Sequence, residues 1–173
     1  KQKQKIVETP INIFDNFEKF ITNIEKFYEE DWKLLRESRK SGSNQSEIAQ
    51  FIRDDDVNGL QSVLKSENAD RPIIHTIFER CKFIRNRQPY LIEYAAFFGS
   101  VDCFKYLLSN TDKIHNSFVY AAAGGCIEII RICENSGASI MTGIGPAIQF
   151  SRNSIFEWIL DSFDSIDSSS SKL

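Results

Sequence analysis

Four segments of one pattern recur along this chain, and a repeat constrains the fold more than any single motif. They read DDVNGLQSVLKS from Asp55, GSVDCFKYLLSN from Gly99, GCIEIIRICENS from Gly125 and NSIFEWILDSF from Asn153. Each opens on a turn-forming residue. Two places on stands Val57, Val101, Ile127 or Ile155, and three further Leu60, Phe104, Ile130 or Trp158. Val63-Leu64 and Leu107-Leu108 close the pattern in the first two segments. Apolar residues at such steps line one face of a helix. What precedes the turn also recurs: YLIEYAAFFG up to Gly99 and SFVYAAAGG up to Gly125. The small Ala95, Ala96, Ala121 and Ala122 let neighbouring helices approach closely. Gly99 and Gly125 supply the positive φ needed between two antiparallel helices. The spacing is 26 residues from Gly99 to Gly125 and 28 from Gly125 to Asn153. A helix–turn–helix unit at such a period predicts a solenoid.

The stretch PYLIEYAAFFGSVDCFKYLL, Pro89 to Leu108, resembles the ankyrin repeat, T-P-L-H-x-A-A-x-x-G-x-x-x-x-V-x-x-L-L. The likeness is carried by Leu91, Ala95, Ala96, Gly99, Leu107 and Leu108. Gln88 and Ile92 stand where the family has Thr and His. The spacings are shorter than the family's usual ~33 residues, which implies abbreviated hairpin loops. Together with YAAAGGCIEIIRICE and AIQFSRNSIFEWIL, the pattern is most similar to a divergent ankyrin-like family of unassigned activity, expanded in parasitic protists. The resemblance covers roughly residues 46–163. It implies an all-α fold: an ankyrin-like solenoid of stacked antiparallel helix pairs, with second helices near 57–64, 101–108, 127–133 and 155–160.

Ahead of the repeats, residues 1–10 read as frayed and 11–45 as a helical arm and linker. Phe14, Phe17, Ile21, Ile24, Tyr28 and Leu35 fall at helical steps, broken near Asp31, and Phe20, Phe27 and Trp32 widen the stripe. Such a stripe must be buried, and the first repeat is its expected seat. SGSNQS, Ser41 to Ser46, is the linker. The run RPIIHTIFERCKFI is expected to insert a longer helix between the first and second repeats. GIGPAIQF lacks the third Gly and the Lys of a phosphate loop, so Gly145-Pro146 starts the last helix pair. There Phe150 holds an Ala place and Asn153 a Gly place, an irregular unit suited to an end cap. Residues 164–173 read as a disordered Ser-rich tail.

Motifs for chemistry are sparse. RDDDVNGLQSVLK, from Arg53, begins like an EF-hand loop, with Asp54, Asp56, Asn58 and Gly59 in register. Position twelve, however, is Lys65, where a bidentate Glu is required. Its acidic residues suit a helix N-terminus instead. Cys81, Cys103, Cys126 and Cys133 form no C-x-x-C pair and hold no ligand spacing to His75 or His115, so they read as reduced core residues and no metal or cofactor is expected. Neither histidine is tied to a nucleophile, and no catalytic residue is expected. Arg80, Lys82, Arg85 and Arg87 form a short basic run that reads as a solvated face. The net charge of −3 argues against a nucleic-acid binder, and no apolar run suits a membrane span. A cytoplasmic compartment is expected; the final Ser171-Lys172-Leu173 matches a peroxisomal address.

The functional expectation is a non-enzymatic protein-interaction module, monomeric or weakly dimeric through its N-terminal helix, that binds an unidentified protein. Repeat arrays use their concave face and loop tips for this. The candidate contact residues are Arg85, Asn86, Arg87, Asp112, Lys113, His115 and Asn116 at loop tips, and Glu93, Phe97, Phe98 and Ala123 on inner helices. Two alternatives stand beside it: the front of a longer repeat array, and an inhibitory protein that binds an enzyme.

Overall fold

The computed structural model describes residues 18, 20–22, 24–64, 68–111 and 113–170. Among them it is all-helical, with a single isolated bridge between Pro72 and Tyr90. No helix among the described residues is long and apolar enough to cross a membrane. The chain forms two compact units: residues 1–45 with 75–87, and residues 46–74 with 88–173. Residues 75–87 therefore leave the expected 46–163 domain and join the N-terminal arm.

The second unit contains the repeated segments. Its helices are α2 (Glu47–Arg53), α3 (Val57–Val63), α5 (Leu91–Phe98), α6 (Val101–Ser109), α7 (Ser117–Gly124), α8 (Ile127–Asn135), α9 (Ile144–Gln149) and α10 (Asn153–Ser170). The first helix of each pair packs on the helix that follows it: α2 on α3, α5 on α6, α7 on α8 and α9 on α10. The first helices also contact in series, α2 with α5, α5 with α7 and α7 with α9, while α3 contacts α6 and α6 contacts α8.

The Tyr-Ala-Ala segments explain the close spacing. Ala95, Ala96, Ala121, Ala122 and Ala123 are all fully buried. Gly124 lies so near α5 that a Cβ there would stand 2.1 Å from the carbonyl oxygen of Phe97. Gly99 and Gly125 end α5 and α7 with φ of 72° and 94°, and their N–H groups return to carbonyls of Ala95 and Ala121. Leu60, Phe104, Leu107, Ile129, Ile130 and Ile159 are buried to 2% exposure or less. Each such side chain contributes about 2 kcal/mol by leaving water. In the last repeat the buried pair is Ile155 and Ile159, while Leu160 is exposed, so its face is stepped by four rather than three. Helix α10 continues to Ser170, which makes residues 164–170 helical rather than a disordered tail; residues 171–173 lie outside the described residues.

The acidic turn acts as a pair of helix caps. The Asp56 side chain accepts from Gly59 N at 2.9 Å at the start of α3. Asp55 accepts from Asp102 N at 3.2 Å and Cys103 N at 2.8 Å, capping α6 of the next pair. Among the described residues no group of three His, Cys, Asp or Glu could hold a metal ion. Asp55 also has φ of 51°, a conformation Asp tolerates better than Ala. Replacing Asp55 with Ala should cost about 2 kcal/mol, cap and backbone together, and a urea titration against Asp55→Asn checks it, since Asn keeps the turn and one acceptor.

All four cysteines are free. Burial, and then the Asp55 carboxylate, pushes the Cys103 thiol up to about 12. Burial does the same for Cys133, also to about 12, with Cys126 adding to it. Cys81 and Cys126 are half-buried. Thiolate is the reactive form, so a disulfide reagent at mildly alkaline pH should titrate at most two thiols in the native protein. The other two, Cys103 and Cys133, should respond only after denaturant is added.

In the first unit the expected helical arm, broken near Asp31, is built of short pieces. Turns at Ile24–Phe27 and Glu29–Trp32 precede α1 (Lys33–Ser41). The break falls at Asp31 and Trp32, whose φ values are 53° and 63°. Phe20 and Phe27 pack on Phe78 with centroids 6.1 and 5.8 Å away. Phe14 and Phe17 lie outside the described residues. The insertion carries only one helical turn, α4 (Lys82–Arg85). The β-branched run around Pro72 favours extended chain over helix, and Ile73 N bonds the carbonyl of Pro89 at 2.8 Å. Buried Glu79 ties α4 to the linker: its carboxylate accepts from Asn44 N and Cys81 N. His75 is buried, and burial pushes its pKa down.

Candidate functional site

The densest polar arrangement of the second unit lies where the α6–α7 loop crosses the start of α5. Two carboxylates hold it. Glu93 is a residue of the first turn of α5, only 3% exposed. One of its oxygens accepts from Tyr90 N at 2.7 Å, and the other from Asn116 N at 3.0 Å. It therefore caps the starts of α5 and α7 at once. A Glu at this position commonly reaches back to its own helix start; here the second oxygen is used on the neighbour.

Asp70 is the second anchor. It meets His115 Nε2 at 2.5 Å and Lys113 Nζ at 3.4 Å. The His115 ring stacks on Tyr90 with centroids 3.8 Å apart and planes inclined by 17°. His115 holds φ of 47°, a strained state maintained by these contacts. Its side chain is 14% exposed, against 67% for Lys113. His115 thus works as a strut, and Lys113 and Asn116 present their side chains to solvent.

The hydrogen bond from His115, with its charge and that of Lys113, holds the Asp70 carboxyl below its ordinary range despite an opposing effect of burial. A depressed folded pKa gives stability that is fully present above the unfolded carboxyl value of ~3.9 and is lost as pH falls from there through the lower folded value. The loop should accordingly loosen below about pH 4. Amide exchange at Ile114–Ser117, corrected for intrinsic rate, checks this; Asp70→Asn should show the loosened behaviour already at neutral pH.

The other candidates separate into different places. Phe97 and Phe98 lie at the far end of α5, about 6–8 Å along the helix axis from Glu93. Their rings meet at 5.1 Å, Phe97 meets Phe150 at 5.6 Å, and Phe98 meets Tyr94 at 4.7 Å. Tyr94 accepts a hydrogen bond from Arg53 at 2.9 Å. Phe98 is exposed and Phe97 half-buried. Glu93 and Ala123 are buried and offer no side chain to a partner. Asp112 lies outside the described residues. Arg85, Asn86 and Arg87 belong to the first unit, where the Arg87 guanidinium sits 4.2 Å over the Phe83 ring.

Asp70 and Tyr90 were absent from the candidates drawn from the sequence. Tyr90 carried a signal, since it stands immediately before the Leu91 position of the repeat. Asp70 lies 45 residues from its histidine, and no local pattern marks it. The chain matches no protein-family model, and no curated protein or solved structure matches it significantly.

Proposed function

We propose that the second unit is a non-enzymatic, ankyrin-like protein-binding module. The observation that carries the proposal is the serial contact of α2, α5, α7 and α9, each backed by its own second helix. A stack of that kind leaves one row of helix ends and loop tips free along its length. At one end of α5 the stack offers Lys113 and Asn116 on a loop fixed by carboxylates; at the opposite end it offers Phe98 beside Phe97 and Phe150. A braced cationic tip and an exposed aromatic edge suit recognition of a protein surface, in which aromatic anchors supply most of the affinity. The partner is a protein, and no cofactor or metal is part of the proposal.

The test is affinity capture from cytosol with three forms of the full chain: unaltered, Lys113→Ala with Asn116→Ala, and Phe98→Ser. A partner retained by the first and lost by one of the others supports the module and shows which end of α5 it uses. Equal retention by all three counts against these residues, and retention of nothing counts against a stand-alone module. Alternatively α9 and α10 stack against a further helix pair, a role favoured by the exposed Ile148 and Leu160. In that case Ile148→Ser with Leu160→Ser should abolish the association while the Lys113 and Phe98 variants leave it unchanged.

A further inference from the structure

Residues 75–87 return to the first unit after α2 and α3, and Phe78, Glu79 and Arg80 tie them to the arm. The Phe78 ring meets Phe20 and Phe27. The Glu79 carboxylate accepts from Asn44 N at 3.3 Å. Arg80 donates from its guanidinium to the Arg39 carbonyl at the end of α1, and from its backbone N–H to the Gly42 carbonyl at 2.9 Å. Further along the segment Phe83 and Ile84 are buried and apolar.

His75 opens this segment and breaks the pattern. Only 7% of it is exposed, yet neither ring nitrogen meets a hydrogen-bond partner among the described residues. The hydroxyl of Thr76 beside it is buried and unpartnered too. Buried polar groups are normally paired, so a neutral imidazole here already costs the fold. An imidazolium would cost far more, since two donors and a full charge would be enclosed with no acceptor. Burial is the influence that moves the proton affinity of His75, and it moves it down; no Asp, Glu, Lys or Arg side chain among the described residues contributes. The nearest carboxylate along the segment, Glu79, is spent on the N–H groups of Asn44 and Cys81, and the Arg80 guanidinium on the Arg39 carbonyl. The other histidine, His115, lies in the second unit and is braced by Asp70.

An imidazole that binds its proton less well folded than unfolded gives stability that is fully present above the ordinary histidine value of ~6.5. That stability is lost as pH falls from there through the lower folded value. The first unit is built of turns and short helices, so releasing one segment is a less costly way to hydrate the ring than unfolding the chain.

We propose that residues 75–87 are an acid-released latch: on mild acidification His75 takes up a proton, leaves its buried position and carries the segment away from the arm. Release uncovers the rings of Phe20 and Phe27 and frees the N–H of Asn44 and the carbonyls of Arg39 and Gly42. The latch is confined to the first unit and makes no use of the protein-binding reading of the second.

The test is hydrogen exchange of the full chain between pH 7.5 and 5.5, read segment by segment by mass spectrometry and corrected for intrinsic rate. Ordinary carboxylates stay ionised across that window. Protection of residues 77–87 should fall about fivefold or more, while that of α5 and α7 stays level. His75→Phe keeps a ring at the position but cannot titrate, and its protection should not change with pH. A level profile in the unaltered chain, the same fall in His75→Phe, or an equal fall in α5 and α7 overturns the proposal. Where circular dichroism shows that His75→Phe does not fold, proton NMR of the unaltered chain decides. His115→Gln identifies the His75 ring signal, whose titration should coincide with the loss of protection; titration of His75 with protection intact overturns the latch.

Discussion

Gly124→Ala should lower the stability of the second unit by about 3 kcal/mol, because the added methyl has nowhere to go. Its carbon would sit 2.1 Å from the Phe97 oxygen and 2.8 Å from the Phe97 carbonyl carbon. Both are backbone atoms of α5, so no rotamer change relieves the clash; two helices must separate, and the buried Ala95, Ala96, Ala121 and Ala122 lose contact together. For a chain of this size that corresponds to a fall in Tm of about 6–12 °C. Gly145→Ala is the control. It also lies in a helix, but a Cβ there meets nothing within 4 Å, so the change should be neutral or slightly stabilising through helix propensity. Equal Tm values for the two variants would sink the argument that the α5–α7 approach is set by this glycine.

The second large effect is expected at Glu93. Glu93→Ala leaves the N–H groups of Tyr90 and Asn116 without their acceptor, at 2.7 and 3.0 Å in the intact protein. An unmet buried donor costs about 1–3 kcal/mol, so the pair should cost about 3 kcal/mol. Glu93→Gln retains one acceptor oxygen and should lose about half as much. Global unfolding gives the total, but the local readout separates a cap from a generic core position: amide exchange should accelerate first at Tyr90 and Asn116 in the Ala variant. Unchanged protection at Asn116 would mean that the loop is held by Asp70 alone.

The helix pairs were legible because their signal is local. Leu60, Phe104 and Ile130 recur at one place in the repeat, and all three are buried; so do Gly99 and Gly125, both at positive φ. The fourth segment resembled them less, and there the step moved to Ile155 and Ile159. What local periodicity does not carry is pairing between distant segments. Nothing near Asp55 says that it caps a helix 47 residues away, or that Asp70 braces His115. Glu93 misled for a different reason. A charged residue amid LIEYAAFF suggests a solvent contact, whereas its charge is consumed by two backbone donors that otherwise lack partners. The insertion misled by composition: its apolar residues suggested a helix, but Pro72 and the β-branched residues around it hold the chain extended.

The path of the chain between the units has a consequence for biosynthesis. The first unit is made of residues 1–45 and 75–87, and the second interrupts it. As the polypeptide leaves the ribosome, α1 and the aromatic residues before it emerge early, but Phe78, Glu79 and Arg80 follow only after α2 and α3. The arm must therefore wait, with its rings exposed, until residue 87 is free of the exit tunnel. Excising residues 75–87 to shorten the array would not trim a loop; it would remove the ring on which Phe20 and Phe27 pack and the carboxylate that holds Asn44.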